Sequence, residues 1–321
     1  MKIISPCFEI LDQYFREGRV LEQIERCGRV CYKSEDKITE ESAPPFIKGI
    51  IKRGHESVIE MANLVLDVSA ASSRLFFEFF SSIPRFCQAT RLSDTRYIIS
   101  GNPRSFRDMA RHHPSTAIVS AIKVELQKHF PILYQDIDAG GDTPPGEVTV
   151  RLIPPSEVDG FEPELLCRHR ALLVHITVNR AVTHELVRHR VASYLQESQR
   201  YCRYGEQRFG GEVAFIKPCF FKENSPEFKL WQKAMEETER LYLELLETSS
   251  PQAARTVLPN SCKTEIMVHA TLEEWQHIFR LRASAAADPS MREIMLMMLP
   301  EFEKRFPKVF SPVRKALGLT S

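Results

Sequence analysis

The chain has 321 residues, and 43% of them are hydrophobic, which is enough for one large core or two smaller ones. Its 43 lysines and arginines nearly balance its 42 aspartates and glutamates, and the formal net charge of +1 argues against a nucleic-acid or membrane-surface binding protein. No apolar run approaches the roughly 18 residues of a membrane span, and charged side chains fill the stretch where a signal peptide would lie, so we expect a cytoplasmic protein with neither nucleic acid nor membrane as a partner.

The eight cysteines are scattered along the chain, and no two of them form a Cys-x-x-Cys pair. This pattern fits reduced thiols better than a disulfide framework or a zinc site. Cys27 and Cys31, the closest pair, have helical spacing, and we interpret them as two small apolar residues on one helix face. We therefore expect no metal centre.

In chain order, the N-terminal part first shows helical periodicity. Apolar residues within 8–31 predict helices, and a second helix is predicted over 45–52, with Gly54 just past its end. Between residues 57 and 67, alternate side chains share a face. That period of two predicts a strand.

A long segment separates this strand from a second predicted strand at 171–179. Within it, residues 115–130 have a helical pattern, and the Pro/Gly/Asp-rich stretch 136–155 is typical of an exposed loop. The centre of the segment, 85–107, is rich in arginine, asparagine and glycine. It is either a ligand contact or a structural turn, and residue chemistry alone favours the turn.

The C-terminal third is mainly helical. Apolar spacing predicts a long helix over 228–247, a strand over 264–270 and a further helix over 272–282. Asp288 followed by Pro289 is typical of an N-cap and first helical position, so another helix is expected to begin there.

The stretch from Arg188 to Tyr204 carries the strongest chemical signal. It contains four arginines, one histidine, two serines and three tyrosines, with Glu197 as its single carboxylate. Forked donors, hydroxyls and aromatic faces together suit a phosphorylated ligand with a flat ring. The alternative is a solvated basic turn in which Arg188 and Arg190 complement the dipole at the end of a helix through 181–187.

Arg188-His189-Arg190, followed after seven residues by Ser198, resembles the signature of the flavin-dependent thymidylate synthases. Three further stretches resemble other blocks of that family in the same order: 54–60, 254–259 and 274–282. The resemblance implies an α+β fold, with a mostly antiparallel central sheet flanked by helices. It also implies a single domain over 1–321, with 70–168 as an inserted helical and loop segment.

The resemblance further implies an activity. Members of this family methylate dUMP reductively at C5 of its uracil ring, without a covalent protein nucleophile. FAD supplies the reducing equivalents, methylenetetrahydrofolate supplies the one-carbon unit, and NADPH regenerates the flavin. The resemblance implies a homotetramer whose active sites are shared between subunits.

Individual residues match functional positions of the family. The resemblance implies substrate-binding positions at Glu185, Gln196, Ser198, Arg200, Arg255 and Arg282, with Arg200 and Arg255 on the phosphate. It implies FAD-binding positions at Ser57, Glu60, Arg188, His189, Arg190 and His277. Catalytic contributions are expected from Arg282, Ser198 and His55: a fixed cation at Arg282 stabilises negative charge on the pyrimidine, and His55 lies near the folate and the flavin edge.

Several of these residues also have purely structural interpretations. The structural alternative for Arg255 is a charge on a helix surface, and for Arg282 it is a partner for a helix dipole. For Glu60 the alternative is a position on the solvent side of a strand, and for His55 it is an ordinary loop histidine.

The chain also departs from the family pattern. Leu195-Gln196 replaces Asn-Glu, Glu185 replaces a glutamine, and Thr271 and Glu273 stand where the family has asparagine and arginine. These changes leave two alternatives open: a related flavoenzyme for another pyrimidine nucleotide (UMP or a cytidylate), or a nucleotide- or RNA-binding protein without redox chemistry. Arg203 or inserted arginines (Arg91, Arg96, Arg104) are candidates to compensate for the changes.

Overall fold

The computed structural model describes residues 1–138, 146–206 and 209–319. Its strands are β1 (Lys2–Ile4), β2 (Cys7–Ile10), β3 (Leu64–Ala70), β4 (Cys87–Ser93), β5 (Arg96–Gly101), β6 (Val148–Leu152), β7 (Ala171–Asn179), β8 (Ala192–Gln196), β9 (Ala214–Ile216) and β10 (Lys263–Thr271). Its helices are α1 (Asp12–Arg16), α2 (Val20–Tyr32), α3 (Ala43–Lys52), α4 (Ser73–Phe80), α5 (Pro103–His112), α6 (Ala117–His129), α7 (Pro131–Tyr134), α8 (Pro155–Asp159), α9 (Pro163–His169), α10 (Arg180–Leu186), α11 (Pro226–Thr248), α12 (Pro251–Ala254), α13 (Leu272–Arg282), α14 (Pro289–Arg305) and α15 (Pro307–Ala316).

The central sheet has the strand order β2-β7-β10-β8, and all neighbouring strands in it are antiparallel. β7 pairs with β10 along its whole length, from Ala171 opposite Thr271 to Asn179 opposite Lys263. One face of β7 packs with α13, α14 and α15 through Leu172, Val174, Ile176 and Val178. This is the alternation that predicted the strand, and the α+β fold with antiparallel sheets between helices is confirmed.

A second antiparallel sheet has the order β4-β5-β3-β6. Three of its four strands lie within 70–168, the segment interpreted as an insertion. The buried side chains on one face of this sheet belong to the same apolar cluster as those of α2 and α3, and this cluster reaches Leu173 and Met267 of the central sheet. The segment is therefore packed directly against the elements that carry the motifs.

The strand predicted over 57–67 is wrong in its first half. Residues 56–60 form a 3-10 turn, and β3 begins only at Leu64. The side chain of Gln23 on α2 donates to the carbonyl of Met61 at 2.6 Å and so ties the turn to the helix. Consecutive residues are buried here, so no exposed face alternates with a buried one (Val58, Ile59, Met61, Ala62).

Two other predictions need correction. The helical pattern over 8–31 misses β2, which pairs with the edge of β7 before α1 begins. The loop predicted over 136–155 contains β6, while its residues 139–145 lie outside the described residues. Both strands have at most five residues, and pairing with a distant strand fixes them more than any local pattern does.

The predicted helices are found within a few residues of their expected limits, and α13 matches its prediction of 272–282. The carboxylate of Asp288 accepts hydrogen bonds from the N–H groups of Ser290 and Met291, which caps α14 as expected. Across the part of the chain that the structure describes, no helix is both long and apolar enough for a transmembrane span.

Candidate functional site

The arginine-rich motif begins in the turn between α10 and β8. The side chain of Asn179 caps α10 by accepting a hydrogen bond from the N–H of Val182 at 2.9 Å. After the helix ends, residues 188–190 occupy the turn, and β8 continues antiparallel to β10. Because β10 also leads directly into α13, the motif turn and α13 both lie next to β10.

Arg282, at the end of α13, joins that helix to the motif turn. Its Nε lies 2.9 Å from Nε2 of His189, and its Nη1 lies 2.6 Å from Oε2 of Glu185. The ring of His277 meets that of His189 edge-on, with 5.6 Å between their centroids. We call these four residues the Arg282 group.

His189 is a neutral acceptor within this group. Burial lowers its pKa to about 4, and the charges of Arg282 and His277 add to the effect. At pH 7 the imidazole therefore carries one proton, and its Nε2 accepts the hydrogen bond from the guanidinium. A cation, a neutral base and a carboxylate thus stand side by side.

His189, Glu274 and His277 bring possible metal-ligating atoms within 4.8 Å of one another. However, Nε2 of His189 already accepts from Arg282, and the guanidinium repels a cation. Burial raises the pKa of Glu274, whose buried Oε1 has no hydrogen-bond partner among the described residues. The arrangement fits a ligand that donates an N–H group better than it fits a metal ion.

A second group surrounds Glu60. Its Oε1 lies 2.6 Å from Nη1 of Arg104 on α5, and its Oε2 accepts from Oγ of Ser193 at 3.1 Å. Among the four arginines considered as compensating charges, Arg104 pairs with a predicted site residue. The others pair with other carboxylates: Arg91 with Asp94, Arg96 with Asp67, and Arg203 with Glu206.

His55 lies in a cleft of about 740 Å³. The hydroxyl of Tyr32 is 3.5 Å from its Nδ1, and the rings of Tyr32 and Tyr201 meet edge to face with centroids 5.5 Å apart. The guanidinium of Arg200 lies 5.9 Å from the centre of the Tyr201 ring. Charged side chains also line the cleft, and cations outnumber carboxylates among them (Arg29, Lys33, Lys37, Arg53, Glu35, Asp36).

Two predicted substrate-binding residues are held by internal hydrogen bonds. The N–H of Ser198 donates to the carbonyl of Cys31 at 3.2 Å, which ties the motif to α2. The amide of Gln196 donates to two hydroxyl groups, those of Thr183 and Thr264. Gln196 therefore braces β8 against its neighbours within the chain.

The remaining predicted residues stand apart from these contacts. Ser57, Arg188 and Arg190 are exposed and Arg255 is half-buried; none of their side chains forms a hydrogen bond or ion pair with another described residue. Within one chain, the predicted residues therefore divide among the Arg282 group, the Glu60 group, the cleft, the internally bonded Gln196 and Ser198, and these separate side chains. Their individual roles stay predictions.

A buried ionic network beneath the motif was not predicted from the sequence. Nζ of Lys263 lies 2.8 Å from Oε2 of Glu197 and 2.5 Å from Oε1 of Glu265, which also pairs with His175 and Lys33. Although burial alone raises it, these hydrogen bonds and charges hold the pKa of Glu265 well below its usual range. The only sequence signal is the spacing of two between Lys263 and Glu265 on one strand face.

Comparison with known proteins gives the family. The sequence model described as "Thymidylate synthase complementing protein" matches residues 18–82 and 164–308, about two thirds of the chain, and leaves 83–163 unmatched. Among similar curated proteins are flavin-dependent thymidylate synthases. That of Pyrococcus abyssi is 39% identical over 145 residues (43% of this chain, 59% of the relative), and that of Pyrococcus horikoshii is 36% identical over 162 residues (48% and 66%).

A bacterial relative gives the same result: the flavin-dependent thymidylate synthase of Corynebacterium efficiens is 34% identical over 165 residues, 44% of this chain and 64% of the relative. The chain thus spans about three fifths of the length of the curated relatives it matches. The family model covers both the turn with His189 and the helix that ends at Arg282. The chain therefore belongs to the flavin-dependent thymidylate synthase family.

Proposed function

We propose that this protein is an FAD-dependent thymidylate synthase that methylates dUMP at C5, with methylenetetrahydrofolate as one-carbon donor and NADPH as reductant. The contact between Arg282 and His189 carries the proposal. It joins two segments that lie 93 positions apart and places a cation beside a neutral base. A fixed cation of this kind stabilises negative charge that develops on a pyrimidine ring.

The phosphate of the nucleotide is assigned to Arg255 and Arg200. Arg255 forms no ion pair with another described residue, so its forked donors are available to an anion. The exposed guanidinium of Arg200, beside the Tyr201 ring, is the second phosphate-binding group. Each charge-assisted hydrogen bond contributes about 1.5–3 kcal/mol.

The residues around the motif turn fit FAD in two respects. Arg188 and Arg190 suit a diphosphate, and the unpartnered Oε1 of Glu274 suits an N–H donor of a ring system. When bound, FAD supplies the reducing equivalents that turn the transferred one-carbon unit into a methyl group. In this proposal FAD is held by Arg188, His189 and Arg190, with further contacts from Ser57, Glu60 and His277.

In this proposal the residues of the chain bind, orient and polarise the substrate. Burial raises the pKa of the thiols of Cys31 and Cys202, which lie near the motif, to about 12. Such thiols are almost entirely protonated at pH 7 and are poor nucleophiles. This supports a reaction in which Arg282 acts electrostatically and no cysteine attacks the substrate.

We assign methylenetetrahydrofolate to the cleft that contains His55. Its volume of about 740 Å³ suits a ligand of that size, and its tyrosine rings suit a flat pterin. Among the described residues, none of the Arg282 group lines the cleft. We therefore further propose a homotetramer in which different subunits complete each site, and separately a cytoplasmic location. Light scattering of the purified protein tests this assembly.

Two measurements test the activity. The purified protein, reconstituted with FAD if needed, is expected to show the absorption bands of a bound flavin. With dUMP labelled by tritium at C5, it is expected to release tritium only when methylenetetrahydrofolate and NADPH are both present. A protein that binds no flavin and releases no tritium contradicts the proposal.

One observation favours a second candidate, a related enzyme for another pyrimidine nucleotide. Glu185 pairs with Arg282 at 2.6 Å and presents a carboxylate beside the residue assigned to the base. A carboxylate accepts hydrogen bonds from an exocyclic amino group, as in a cytidylate. Thermal-shift assays with dUMP, UMP, dCMP and CMP separate the two, because clear preference for dUMP excludes the second.

A further inference from the structure

Helix α5 lies within 83–163, the part of the chain that the family model leaves unmatched. Three of its arginines nevertheless pair with carboxylates in the matched part: Arg104 with Glu60, and Arg107 and Arg111 with Glu56. Spacings of three and four residues place the three arginines on one face of the helix. That face covers the 3-10 turn 56–60, which bears two predicted FAD contacts.

Two of these arginines fix the helix in place. Arg107 is fully buried, and its two Nη atoms each lie 2.7 Å from one oxygen of Asp136. Both Nη atoms of Arg111 contact the carboxylate of Glu56, at 2.9 and 2.8 Å. Arg107 also contacts Glu56, at 3.3 Å, so both arginines anchor α5 to the turn.

Arg104 differs from Arg107 and Arg111 because its partner reaches the motif. While Oε1 of Glu60 binds Arg104, Oε2 accepts from the hydroxyl of Ser193, three residues after Arg190. Glu60 therefore connects the unmatched helix to the strand that follows the motif turn. The side chain of Glu60 is only 15% exposed, so Arg104 balances a largely buried charge.

We propose that Arg104 is a positioning residue of the cofactor half of the site. By holding one oxygen of Glu60, it directs the other oxygen to Ser193 and keeps the turn 188–190 in its binding conformation. It also balances a carboxylate that would repel a diphosphate. This inference deepens the proposed function and rests on it for the identity of the ligand, FAD.

The test compares Arg104→Ala with Arg96→Ala in the full chain. Arg96 is a matched control because it also lies in the unmatched segment, is 51% exposed and pairs with a carboxylate of the matched part, Asp67, at 2.9 and 2.6 Å. Two quantities are measured: the Kd for FAD by titration of the cofactor-free protein, and hydrogen–deuterium exchange over residues 188–196 in that same protein.

Arg104→Ala is expected to raise the Kd for FAD about tenfold and to speed exchange over 188–196. Arg96→Ala is expected to leave both unchanged, and Arg104→Lys to restore part of the affinity because the ion pair can reform. Combined with Glu60→Gln, Arg104→Ala should have little further effect, since both act through one carboxylate.

Equal effects of Arg104→Ala and Arg96→Ala on affinity and exchange would overturn the inference, as would unchanged exchange over 188–196 in Arg104→Ala. If the wild-type protein binds no FAD, the proposed function fails, and the exchange comparison still decides whether Arg104 holds the motif turn. The two failures are therefore distinguishable.

Discussion

The ammonium group of Lys263 lies 2.8 Å from Oε2 of Glu197, a carboxylate whose side chain is 1% exposed. Glu197 sits inside the motif, between Gln196 and Ser198, while Lys263 begins β10. The pair therefore fixes the point at which the motif leaves the central sheet. Burial lowers the pKa of Lys263, but the charges of Glu197 and Glu265 outweigh it and raise the pKa above its usual value.

Replacing Lys263 by methionine is expected to lower the free energy of unfolding by about 3–5 kcal/mol. Glu265 keeps Lys33 and His175, but Glu197 is left as a buried carboxylate without a counter-ion. Urea denaturation measures the loss.

Lys217→Met is the control for this prediction. Lys217 forms an ion pair with Glu223 in which the side chains are 38% and 64% exposed, so its loss should cost less than about 1 kcal/mol. Adding Glu197→Gln to Lys263→Met should restore part of the lost stability, because it removes the unpaired charge. A Lys263→Met protein as stable as wild type contradicts the prediction.

Stability should fall as the solution is acidified below neutral pH, because histidines are buried in the neutral form. Burial lowers the pKa of His169 to about 4 and that of His269 to about 3. Between about pH 6.5, where a histidine of the unfolded chain protonates, and these folded-state values, only the unfolded state binds the proton. Each such histidine therefore removes about 1.4 kcal/mol per pH unit in that window.

His169→Gln tests this prediction. His169 hydrogen-bonds with Ser100 and Thr90, both at 2.8 Å, and glutamine retains polar atoms for these contacts. Urea denaturation at several pH values between 7 and 4 is expected to show a shallower pH dependence for this variant than for wild type. His113→Gln, at an exposed position, should keep the wild-type slope.

The central sheet and its helices could be predicted because their periodicity is local. The alternating apolar residues of β7 and the helical spacing of α13 predict these elements within a residue or two. The limits of β10 are also predicted within one residue, although both of its faces are buried. The turn 56–60 could not be predicted, because α2 and helix α5 cover it and its consecutive apolar residues are all buried. In such a segment, alternation of apolar and polar residues does not indicate a strand.

For the candidate site, motif spacing singled out individual residues but not their partners. It gave Glu60, His189 and Arg282 as candidates, whereas no pattern joins Arg104 to Glu60 or Lys263 to Glu197, because these partners lie far apart in the sequence. Such pairs depend on how the unmatched segment and β10 pack. The contact of Glu185 with Arg282 shows how one departure from the family pattern enters the site, as an ion pair.

Replacing Glu185 by glutamine is expected to lower the Kd for dUMP about tenfold. The carboxylate engages Arg282 and repels an anionic nucleotide, whereas the amide leaves the guanidinium without a competing charge. Isothermal titration of the FAD-loaded protein measures the change, and Glu301→Gln, which breaks an exposed pair with Arg305 on α14, is the control. Weaker binding of dUMP by Glu185→Gln would contradict this prediction, because it would show that the carboxylate assists the binding of dUMP.

Tyr201 should contribute to ligand binding without contributing to stability. Its ring is 54% exposed and lies at the mouth of the cleft with His55, between the ring of Tyr32 and the guanidinium of Arg200. An aromatic ring that stacks on a flat ligand contributes about 1–3 kcal/mol. Tyr201→Ala is therefore expected to weaken the binding of methylenetetrahydrofolate by about tenfold or more.

Phe220→Ala is the matched control for Tyr201→Ala, because Phe220 is 56% exposed and does not line that cleft. The free energy of unfolding of both variants, measured by urea denaturation, should equal that of wild type within about 0.5 kcal/mol, since neither variant removes a buried side chain. Fluorescence titration with the folate then separates the two. If Tyr201→Ala and Phe220→Ala bind it equally well, the cleft is not the folate site.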